Sequence, residues 1–340
     1  MKILTISIAA YNVDQYLAET LDSLIDQRYV KDIEVLVIDD GSHDNTGMIA
    51  MDYQERYPET IRYIKKENGG HGSTINKGIE LASGKYFRII DGDDYVDRDE
   101  FARFIDKLKR CDVDMVVTNM RVVDDDGNRR IDPSVLENGK DPFEFLADNK
   151  PLRFTKTTST RIFGLSTVSV KTYLLQMEYV RITEKCFYVD VEFIIWCIYL
   201  SNSYEFWNLT VYMYRKSPLG NNSVSKVNML KNVGMQEKVS CKLCKLYECF
   251  LNQNIDSDKA SLIMARIAIS VGATIRTYML MDKLSESKSN IVRFDKSLNS
   301  NCIAYKALGY DIFIKYIRLC NYIFVPLIRF AYKIYNKTRR

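Results

Sequence analysis

Short apolar runs alternate with helix-spaced apolar residues through the first 120 positions of the chain. Runs rich in β-branched and other apolar residues lie at 3–8, 33–38, 61–64, 85–90 and 113–118. The segments between them place apolar residues at helical spacing near 17–24, 45–56, 73–82 and 98–109. Such alternation specifies helices on both faces of a mostly parallel sheet. We therefore predict an α/β fold for this part of the chain.

Two of the predicted strands end in carboxylates. The run at 33–38 leads into Asp39-Asp40-Gly41-Ser42, and the run at 85–90 leads into Asp91-Gly92-Asp93-Asp94. Ligands of open α/β sheets bind outside the carboxyl ends of the strands, so we expect both turns to face one site. Crowded carboxylates lose hydration and repel one another, which a hard cation such as Mg²⁺ relieves. Asp and Gly also form ordinary solvated turns, and that alternative stays open.

The remaining turn residues exclude two common nucleotide-binding motifs. The segment Gly69-Gly70-His71-Gly72-Ser73 has neither the G-K-[ST] ending of a P-loop nor the glycine spacing of a dinucleotide fingerprint. The two histidines, His43 and His71, have no ligand-spaced Cys or His nearby, which favours contact with phosphate or solvent over metal ligation. A nucleotidyltransferase would need a basic, glycine-rich loop near the N-terminus, and Ala9-Ala10-Tyr11-Asn12 is not one.

Several of these segments together resemble the family 2 inverting glycosyltransferases, whose fold is called GT-A. The matching segments are Ala10-Tyr11-Asn12, Val37-Ile38-Asp39-Asp40-Gly41-Ser42, Asn76-Lys77-Gly78, Ala82-Ser83-Gly84-Lys85-Tyr86 and Asp91-Gly92-Asp93-Asp94. The resemblance covers roughly residues 1–120. It implies a Rossmann-like sheet with a nucleotide-diphosphate sugar lying across the carboxyl ends of the strands.

The resemblance also implies roles for individual residues. Asp40 would contact a uracil base with Tyr11 or Asn12 near it, Asp91 would lie near the ribose, and Asp93 would bind Mn²⁺ or Mg²⁺. An ionised carboxylate accepts hydrogen bonds and cannot donate them, which suits Asp40 to a ring N–H. The other residues that we assign to donor binding are Ala10, Asp39, Asn68, Gly70, His71, Asn76, Gly92 and Arg215.

Arg215 follows a strand-like run at 209–214 and precedes a polar loop at 220–225. Family members often have a Tyr-Arg pair before such a loop, which closes over the diphosphate. The resemblance therefore implies a charge clamp at Arg215. A surface cation is the alternative interpretation.

Sugar transfer also needs a base for the acceptor hydroxyl. Family 2 enzymes often carry a Glu-Asp pair at the corresponding distance from the D-x-D motif, and here Val189 replaces the Glu while Asp190 keeps the Asp position. We identify Asp190 as the candidate base, with Glu184 and Glu192 as fallback candidates. Asp190 and Glu192 are also typical of a helix start, where they would act only as a cap and a first-turn charge.

Composition limits the class of protein and its surroundings. The chain has 340 residues, 46% of them hydrophobic and 27% charged, as in ordinary globular proteins. Eight cysteines are scattered, and Cys241-x-x-Cys244 has no partner pair, so we expect free thiols. Met1-Lys2 leads straight into the first strand without a signal peptide, so we expect a cytoplasmic protein.

The basic character of the chain comes from its last segment. Residues 312–340 contain seven Lys or Arg and no Asp or Glu, and without them 41 basic residues face 44 acidic ones. The net charge then changes from +4 to −3, which argues against a large nucleic-acid surface. Aromatic residues beside these cations favour an interfacial helix on the inner face of the cell membrane. A helix packed on the protein is the alternative.

We predict a GT-A catalytic domain at 1–225, with nucleotide-sugar binding at 1–120 and the acceptor side at 121–225. A helical subdomain at 226–300 and a basic amphipathic helical segment at 301–340 follow. The predicted function is metal-dependent transfer of a sugar, from a UDP-sugar by preference, to a glycan or lipid-linked glycan in cell-surface polysaccharide assembly. A nucleotidyltransferase and a non-catalytic sugar-nucleotide or membrane-binding protein remain as alternatives.

Overall fold

The computed structural model describes residues 2–124, 127–131, 150–155, 158–216, 225–319 and 321–338. The chain forms two compact units. The first comprises residues 1–154 and 158–220, and the second comprises residues 155–157 and 221–340.

The first unit is built on one large sheet with helices on its faces. Its strands are β1 (Leu4–Ala10), β2 (Ile33–Asp39), β3 (Ile61–Lys65), β4 (Tyr86–Asp91), β5 (Tyr95–Val96), β6 (Met115–Val123), β7 (Arg129–Arg130), β8 (Pro151–Leu152), β9 (Val168–Lys171) and β10 (Tyr204–Arg215). Its helices are α1 (Leu17–Leu24), α2 (Thr46–Arg56), α3 (His71–Leu81), α4 (Arg98–Leu108), α5 (Thr172–Met177) and α6 (Asp190–Leu200), with a 3-10 turn at Thr160–Ile162.

The strand order is β3-β2-β1-β4-β9-β6-β10-β5, with β7 paired to β6 and β8 to β10. The four strands from β3 to β4 are parallel, as are β6 and β10. Antiparallel pairings involve short stretches of two or three residues, at β5, β7, β8 and β9. The predicted α/β fold with a mostly parallel sheet is therefore confirmed.

Burial explains why the strands were readable in the sequence. All seven residues of β2 are buried, and β1 and β4 are buried except for one residue each. Central parallel strands are covered on both faces by helices, so they appear as continuous apolar runs rather than as alternating patterns. The predicted helix at 73–82 begins two residues earlier, at His71, because Gly70 adopts a left-handed backbone (φ 76°) that starts the helix.

Strand β9 and helix α5 are among the elements of the sheet unit that were missed in the sequence. Strand β9 and helix α5 follow each other directly at 168–177, and the four-residue strand pairs antiparallel with both β4 and β6. A strand of four residues that inserts between two parallel strands is too short for a periodic pattern. The described residues between 121 and 216 thus contribute strands to the same sheet.

The second unit is helical. Its helices are α7 (Lys226–Lys231), α8 (Val233–Asn252), α9 (Ser257–Met279), α10 (Leu284–Leu298), α11 (Cys302–Leu308), α12 (Ile312–Arg318) and α13 (Val325–Thr338). Helices α8 and α10 to α13 all contact α9, which lies at the centre of the unit. Helices α11, α12 and α13, which lie in the segment predicted at 301–340, therefore pack on α9.

Within the described residues, α9 alone has the length and apolar composition of a membrane span. In the protein, 61% of the most apolar 18-residue stretch of α9 is buried. Its partners are the other helices of the unit, so the burial of α9 is that of a core helix.

Candidate active site

The carboxyl ends of three neighbouring strands bring the two acidic turns together. The parallel register pairs Ala10 of β1 with Asp39 of β2, and Ala9 of β1 with Asp91 of β4. The turns that follow Asp39 and Asp91 thus flank the end of β1 on its two sides. This is the arrangement expected from the sequence.

The turn after β4 is fixed by Asp94, which is 1% exposed. Its carboxylate accepts a hydrogen bond from the Tyr212 hydroxyl and another from the Arg215 backbone N–H at 2.6 Å. Burial, and then the charges of Asp91 and Asp93, raise the pKa of Asp94 well above its ordinary value. Asp94 therefore joins the acidic turn to β10.

Asp91 and Asp93 are both partly exposed, and Asp91 also accepts a hydrogen bond from the Tyr212 hydroxyl at 3.3 Å. Burial first, and then the charge of Asp91, raise the pKa of Asp93. The backbone of Asp93 and the charges of Arg215 and His71 only partly offset this effect. A cation at this position would stabilise both charges.

The donor set suits a metal that takes most of its ligands from elsewhere. Nowhere in the described part of the chain do three His, Cys, Asp or Glu side chains converge on one metal position. Mg²⁺-type ions are commonly held by one or two carboxylates, with substrate phosphates and water completing the octahedron. Asp93, with Asp91 beside it, fits a site of that kind.

Arg215 lies against the same turn. Its Nε donates to the Asp93 carbonyl at 2.9 Å and its Nη2 donates to Glu19 at 2.8 Å. The guanidinium lies 5.1 Å from the ring centroids of Tyr16 and Tyr95, which suits cation–π contact. Arg215 therefore lies next to Asp93, the predicted metal ligand. Its guanidinium donates to protein groups, the Asp93 carbonyl and Glu19. Of the loop predicted to close over the diphosphate, 220–224 lie outside the described residues.

The structure gives Asp40 a role that the sequence did not suggest. It is 3% exposed, and its carboxylate accepts hydrogen bonds from Lys66 Nζ at 2.6 Å, Gly69 N at 2.9 Å, Gly70 N at 2.8 Å and Ser73 Oγ at 3.1 Å. These four donors occupy both carboxylate oxygens. In this structure Asp40 shapes the glycine loop before α3, and its Oδ2, which accepts only from Gly70 N, keeps a lone pair for a base N–H.

The residues beside Asp40 connect the loops after β1 and β2. Asp39 accepts from Ser42 N and from the Tyr63 hydroxyl, each at 2.8 Å. Asn12, with a left-handed backbone (φ 53°), accepts from His43 N at 2.9 Å. Tyr11 beside it is 42% exposed, so its ring is available to a ligand.

Ala10 and Gly92, both predicted to bind the donor, contribute to the site through their backbone groups and their small size. Ala10 is buried, and its carbonyl accepts from Asp40 N at 2.8 Å. A Cβ on Gly92 would lie 3.0 Å from the Ala9 carbonyl and from the Val13 side chain. Both residues therefore allow close packing at the strand ends.

The start of α3 faces the acidic turn. His71 is the first residue of this helix, and its Nε2 lies 3.9 Å from Asp91 Oδ1. This nitrogen is buried, and among the described residues no hydrogen-bond partner reaches it. Asn68, three residues earlier, is exposed. A helix N-terminus with a nearby imidazole is suited to bind an anion such as a phosphate.

A segment from the acceptor side, Ile182–Cys186, lies directly on this helix start. Asn76 holds Ile182 through both backbone groups, and its Nδ2 also donates to Glu184 at 2.9 Å. Lys185 N donates to the Gly69 carbonyl at 2.5 Å. A Cβ on Gly72 would lie only 2.0 Å from the Thr183 carbonyl oxygen, so only glycine allows this approach. Asn76, predicted to bind the donor, thus uses its amide to position this segment.

The same segment leads into the candidate base. Asp190 is the first residue of α6 and is exposed, while Val189 occupies the cap position without a side-chain cap bond. The backbone before Asp190 is left-handed at Lys185 (φ 51°) and Tyr188 (φ 66°). Strained conformations of this kind persist where the surrounding structure imposes them, often at functional sites.

The two fallback bases are placed differently. Glu192 is 0% exposed and accepts from Thr183 N at 3.1 Å, so it supports the segment from within the core. Glu184 is exposed, and its carboxylate accepts from Asn76. Of the three candidates, Asp190 combines exposure with a carboxylate that makes no cap bond.

Three residues that contact the candidate site were not predicted from the sequence, namely Lys66, Tyr212 and Glu19. Lys66 directly follows β3, and the rule that placed Asp39 and Asp91 at one sheet edge could have placed Lys66 there too. Tyr212 lies in a recognisable strand run, but only the fold shows that it meets Asp94. Glu19 is one of many exposed helix carboxylates, and no pattern in the sequence marks it.

The comparison with known proteins agrees with the N-terminal fold and motifs. Residues 5–170 match the family described as Glycosyl transferase family 2. The uncharacterized glycosyltransferase EpsJ of Bacillus subtilis is 39% identical over 114 residues, which are 34% of this chain and 33% of EpsJ. The minor teichoic acid biosynthesis protein GgaB of the same species is 36% identical over 110 residues, 31% of this chain and 12% of GgaB. The aligned part is thus a third or less of each of these relatives.

The fold resembles that of a solved glycosyltransferase. The structure of S. aureus TarS residues 1–349 in complex with UDP-GlcNAc has a TM-score of 0.67 and 18% sequence identity, covering 99% of this chain and 92% of that one. At this identity the likeness concerns the GT-A fold. Residues 5–170, just under half of the chain, are similar to the glycosyl transferase family 2.

Proposed function

We propose that the chain transfers a sugar from a UDP-sugar to a hydroxyl group of a glycan or lipid-linked glycan, with inversion and with the help of a divalent cation. The observation that carries the proposal is the pair Asp91 and Asp93 at the end of β4, with the pKa of Asp93 raised by burial and by its neighbour. Two partly exposed carboxylates that repel each other suit a divalent cation, and that cation can in turn bind a diphosphate. TarS, similar in fold, binds UDP-GlcNAc, which supports the UDP-sugar.

The donor would lie across the ends of β1, β2 and β4. Tyr11 offers an exposed ring beside the loops after β1 and β2. His71 and the first turn of α3 offer donors to the diphosphate. A Mn²⁺ or Mg²⁺ ion held by Asp93 supplies charge stabilisation for the leaving nucleoside diphosphate.

The acceptor would approach from the side of α6. Asp190 takes the proton of the acceptor hydroxyl while the acceptor oxygen attacks the anomeric carbon. The bond between that carbon and the diphosphate oxygen breaks, and UDP leaves with the electron pair. A single displacement of this kind inverts the configuration. The contacts of Asn76 and Gly72 with residues 182–183 support Asp190 from the donor side of the site.

GgaB is named for teichoic acid biosynthesis, which supports a cell-envelope glycan as the acceptor class. The chemical class of the acceptor is therefore a glycan hydroxyl.

A release assay tests the proposal. The purified chain is incubated with UDP-, GDP- and CDP-sugars, first with EDTA and then with added Mn²⁺ or Mg²⁺. We expect metal-dependent release of UDP from a UDP-sugar. Release of pyrophosphate would instead indicate a nucleotidyltransferase and would refute the proposal.

Two matched variants test the base, and a third tests the metal site. Asp190→Asn should lower kcat by about 10²- to 10⁴-fold, the range for a general base, with unchanged binding of UDP. Glu184→Gln should lower it far less. Asp93→Ala should abolish the metal dependence of UDP binding. Wild-type turnover in Asp190→Asn would eliminate Asp190 as the base.

A further inference from the structure

Helix α13 turns its apolar side chains outward and its cations inward. Leu327, Phe330 and Ile334 share one face of the helix and are 66%, 64% and 49% exposed. On the other face, Arg329 donates to the Asp282 carbonyl and Lys333 to the Met281 carbonyl, each at 2.8 Å. A helix on a water-facing surface has the reverse arrangement. The protein thus uses two of its cations to hold an apolar face toward the outside.

Helix α12 repeats the pattern. Ile312, Tyr316 and Leu319 share a face and are 72%, 57% and 43% exposed. Arg318 lies on the inner side and pairs at 2.8 Å with Asp295, a carboxylate that is 0% exposed. Lys315 lies beside the apolar face and is exposed.

The residues before and after α12 extend the exposed apolar series. Tyr310 is 89%, Ile323 61% and Phe324 41% exposed. An apolar surface of this extent marks an interaction site, since isolated domains rarely leave so many large apolar side chains in water. The site needs an occupant that accepts apolar and aromatic side chains.

We propose that α12, residues 319 and 321–324, and α13, together the "C-terminal face", dock onto an anionic lipid bilayer. The charge of the segment selects this occupant: residues 312–340 carry seven Lys or Arg and no Asp or Glu. Lys315 is exposed beside the apolar face, and Arg329 and Lys333 bind uncharged carbonyls, which do not neutralise their positive charge. Cations beside aromatic and aliphatic side chains are the composition of interfacial helices on anionic membranes.

The same charge opposes the two main alternatives. A second copy of the chain would place the net positive charge of one segment opposite that of the other across a symmetric interface, which is unfavourable. A transmembrane insertion would need about 20 uncharged residues, whereas the longest uncharged run within residues 312–340, at 319–328, has ten. The C-terminal face therefore lies on the membrane surface.

Vesicle flotation with the purified full chain tests the proposal without using transfer activity. The vesicles contain phosphatidylcholine alone or with phosphatidylglycerol. We expect binding to the anionic vesicles that weakens with salt, and at least tenfold weaker binding for Leu327→Ser/Phe330→Ser. Val227→Ser removes an apolar side chain that is 75% exposed in α7 and should leave binding unchanged.

A second variant keeps the test independent of the double substitution. Lys315→Glu should lower binding to anionic vesicles at least threefold. Failure of the chain to bind anionic vesicles, or equal binding to both vesicle types, would overturn the proposal. It would also be overturned if the chain were a dimer in light scattering and Leu327→Ser/Phe330→Ser made it a monomer.

Discussion

Asn76 binds both backbone polar groups of Ile182, a residue 106 positions further along the chain. Asn76 Nδ2 donates to the Ile182 carbonyl at 2.9 Å, and Asn76 Oδ1 accepts from the Ile182 N–H at 2.8 Å. This is the pairing that one strand residue would make with another, supplied here by a side chain. It joins the helix start that faces the acidic turn to the segment that leads to Asp190.

Asn76→Ala should therefore affect both stability and transfer. The substitution leaves buried backbone groups of Ile182 without their partner, which costs about 1–3 kcal/mol per group. We expect a loss of about 2–4 kcal/mol in the free energy of unfolding, measured by urea denaturation. UDP release should also fall, because Asp190 loses its support.

Asn202→Ala is the matched control, since this residue is exposed at the end of α6. It should change the free energy of unfolding by less than about 0.5 kcal/mol. Equal stability of Asn76→Ala and Asn202→Ala would contradict the positioning role.

Gly72→Ala should displace the same segment by steric contact. The new Cβ would lie 2.0 Å from the Thr183 carbonyl oxygen, an atom that cannot move without the backbone. We expect a loss of stability of about 1–3 kcal/mol or more, as for other overpacked sites, together with reduced UDP release.

Gly234→Ala provides the control for glycine replacement. Gly234 lies in α8, and nothing lies within 4 Å of a Cβ placed there. Alanine should stabilise this helix by about 0.5–1 kcal/mol, because glycine is a poor helix former. If Gly72→Ala behaved like Gly234→Ala, the close approach to Thr183 would not exist in solution.

Hydrophobic periodicity was sufficient for the fold of the first 120 residues. The strands there are buried on both faces, so their apolar runs and their acidic ends could be located before the structure was known. The rule for strand ends then brought Asp39 and Asp91 to one edge. Hydrophobic periodicity failed at β9, because its four residues carry no periodic pattern.

The contacts of individual site residues were harder to predict from the sequence than the fold. Asp40 and Asn76 match the family motif, yet the structure shows each bound to protein groups in other segments. The partners of Asn76 lie more than 100 residues away, and no local pattern indicates them. The orientation of Arg329 and Lys333 was equally hidden, because a helix pattern does not tell which face meets the protein.

Asp40 and Lys66 should form an energetically coupled pair. Lys66 Nζ lies 2.6 Å from Asp40 Oδ1, and the two side chains are only 21% and 4% exposed. A double-mutant cycle with Asp40→Asn and Lys66→Ala should give a coupling energy of about 0.5–3 kcal/mol in the free energy of unfolding. Lys65→Ala, at the exposed neighbouring position, should show none.

The same variants separate two roles of Asp40. If its task were only to contact a base, Asp40→Asn would weaken donor binding and leave stability unchanged. The four hydrogen bonds predict that stability falls as well, by about 1–3 kcal/mol. Unchanged denaturation of Asp40→Asn would show that the protein contacts of this carboxylate are energetically minor.

Asp97 should make the stability of the first unit depend on pH. Its carboxylate caps α4 by accepting from Asp99 N and Glu100 N, and it pairs with Arg129 at 2.7 Å. Burial alone would raise the pKa of Asp97, but the hydrogen bonds from Glu100 N and Arg129 outweigh it and lower the pKa below 3.8.

A carboxyl group with a lowered pKa in the folded state stabilises the fold above its unfolded pKa and loses this effect as the pH falls. Asp97→Asn keeps a cap acceptor and removes the charge, so it should cost about 0.5–1 kcal/mol at pH 7. The difference from wild type should shrink as the pH falls below about 4. Asp99→Asn, 84% exposed in its pair with Arg28, should cost less at every pH. A difference for Asp97→Asn that stays constant from pH 7 to pH 3 would mean that its charge does not contribute to stability.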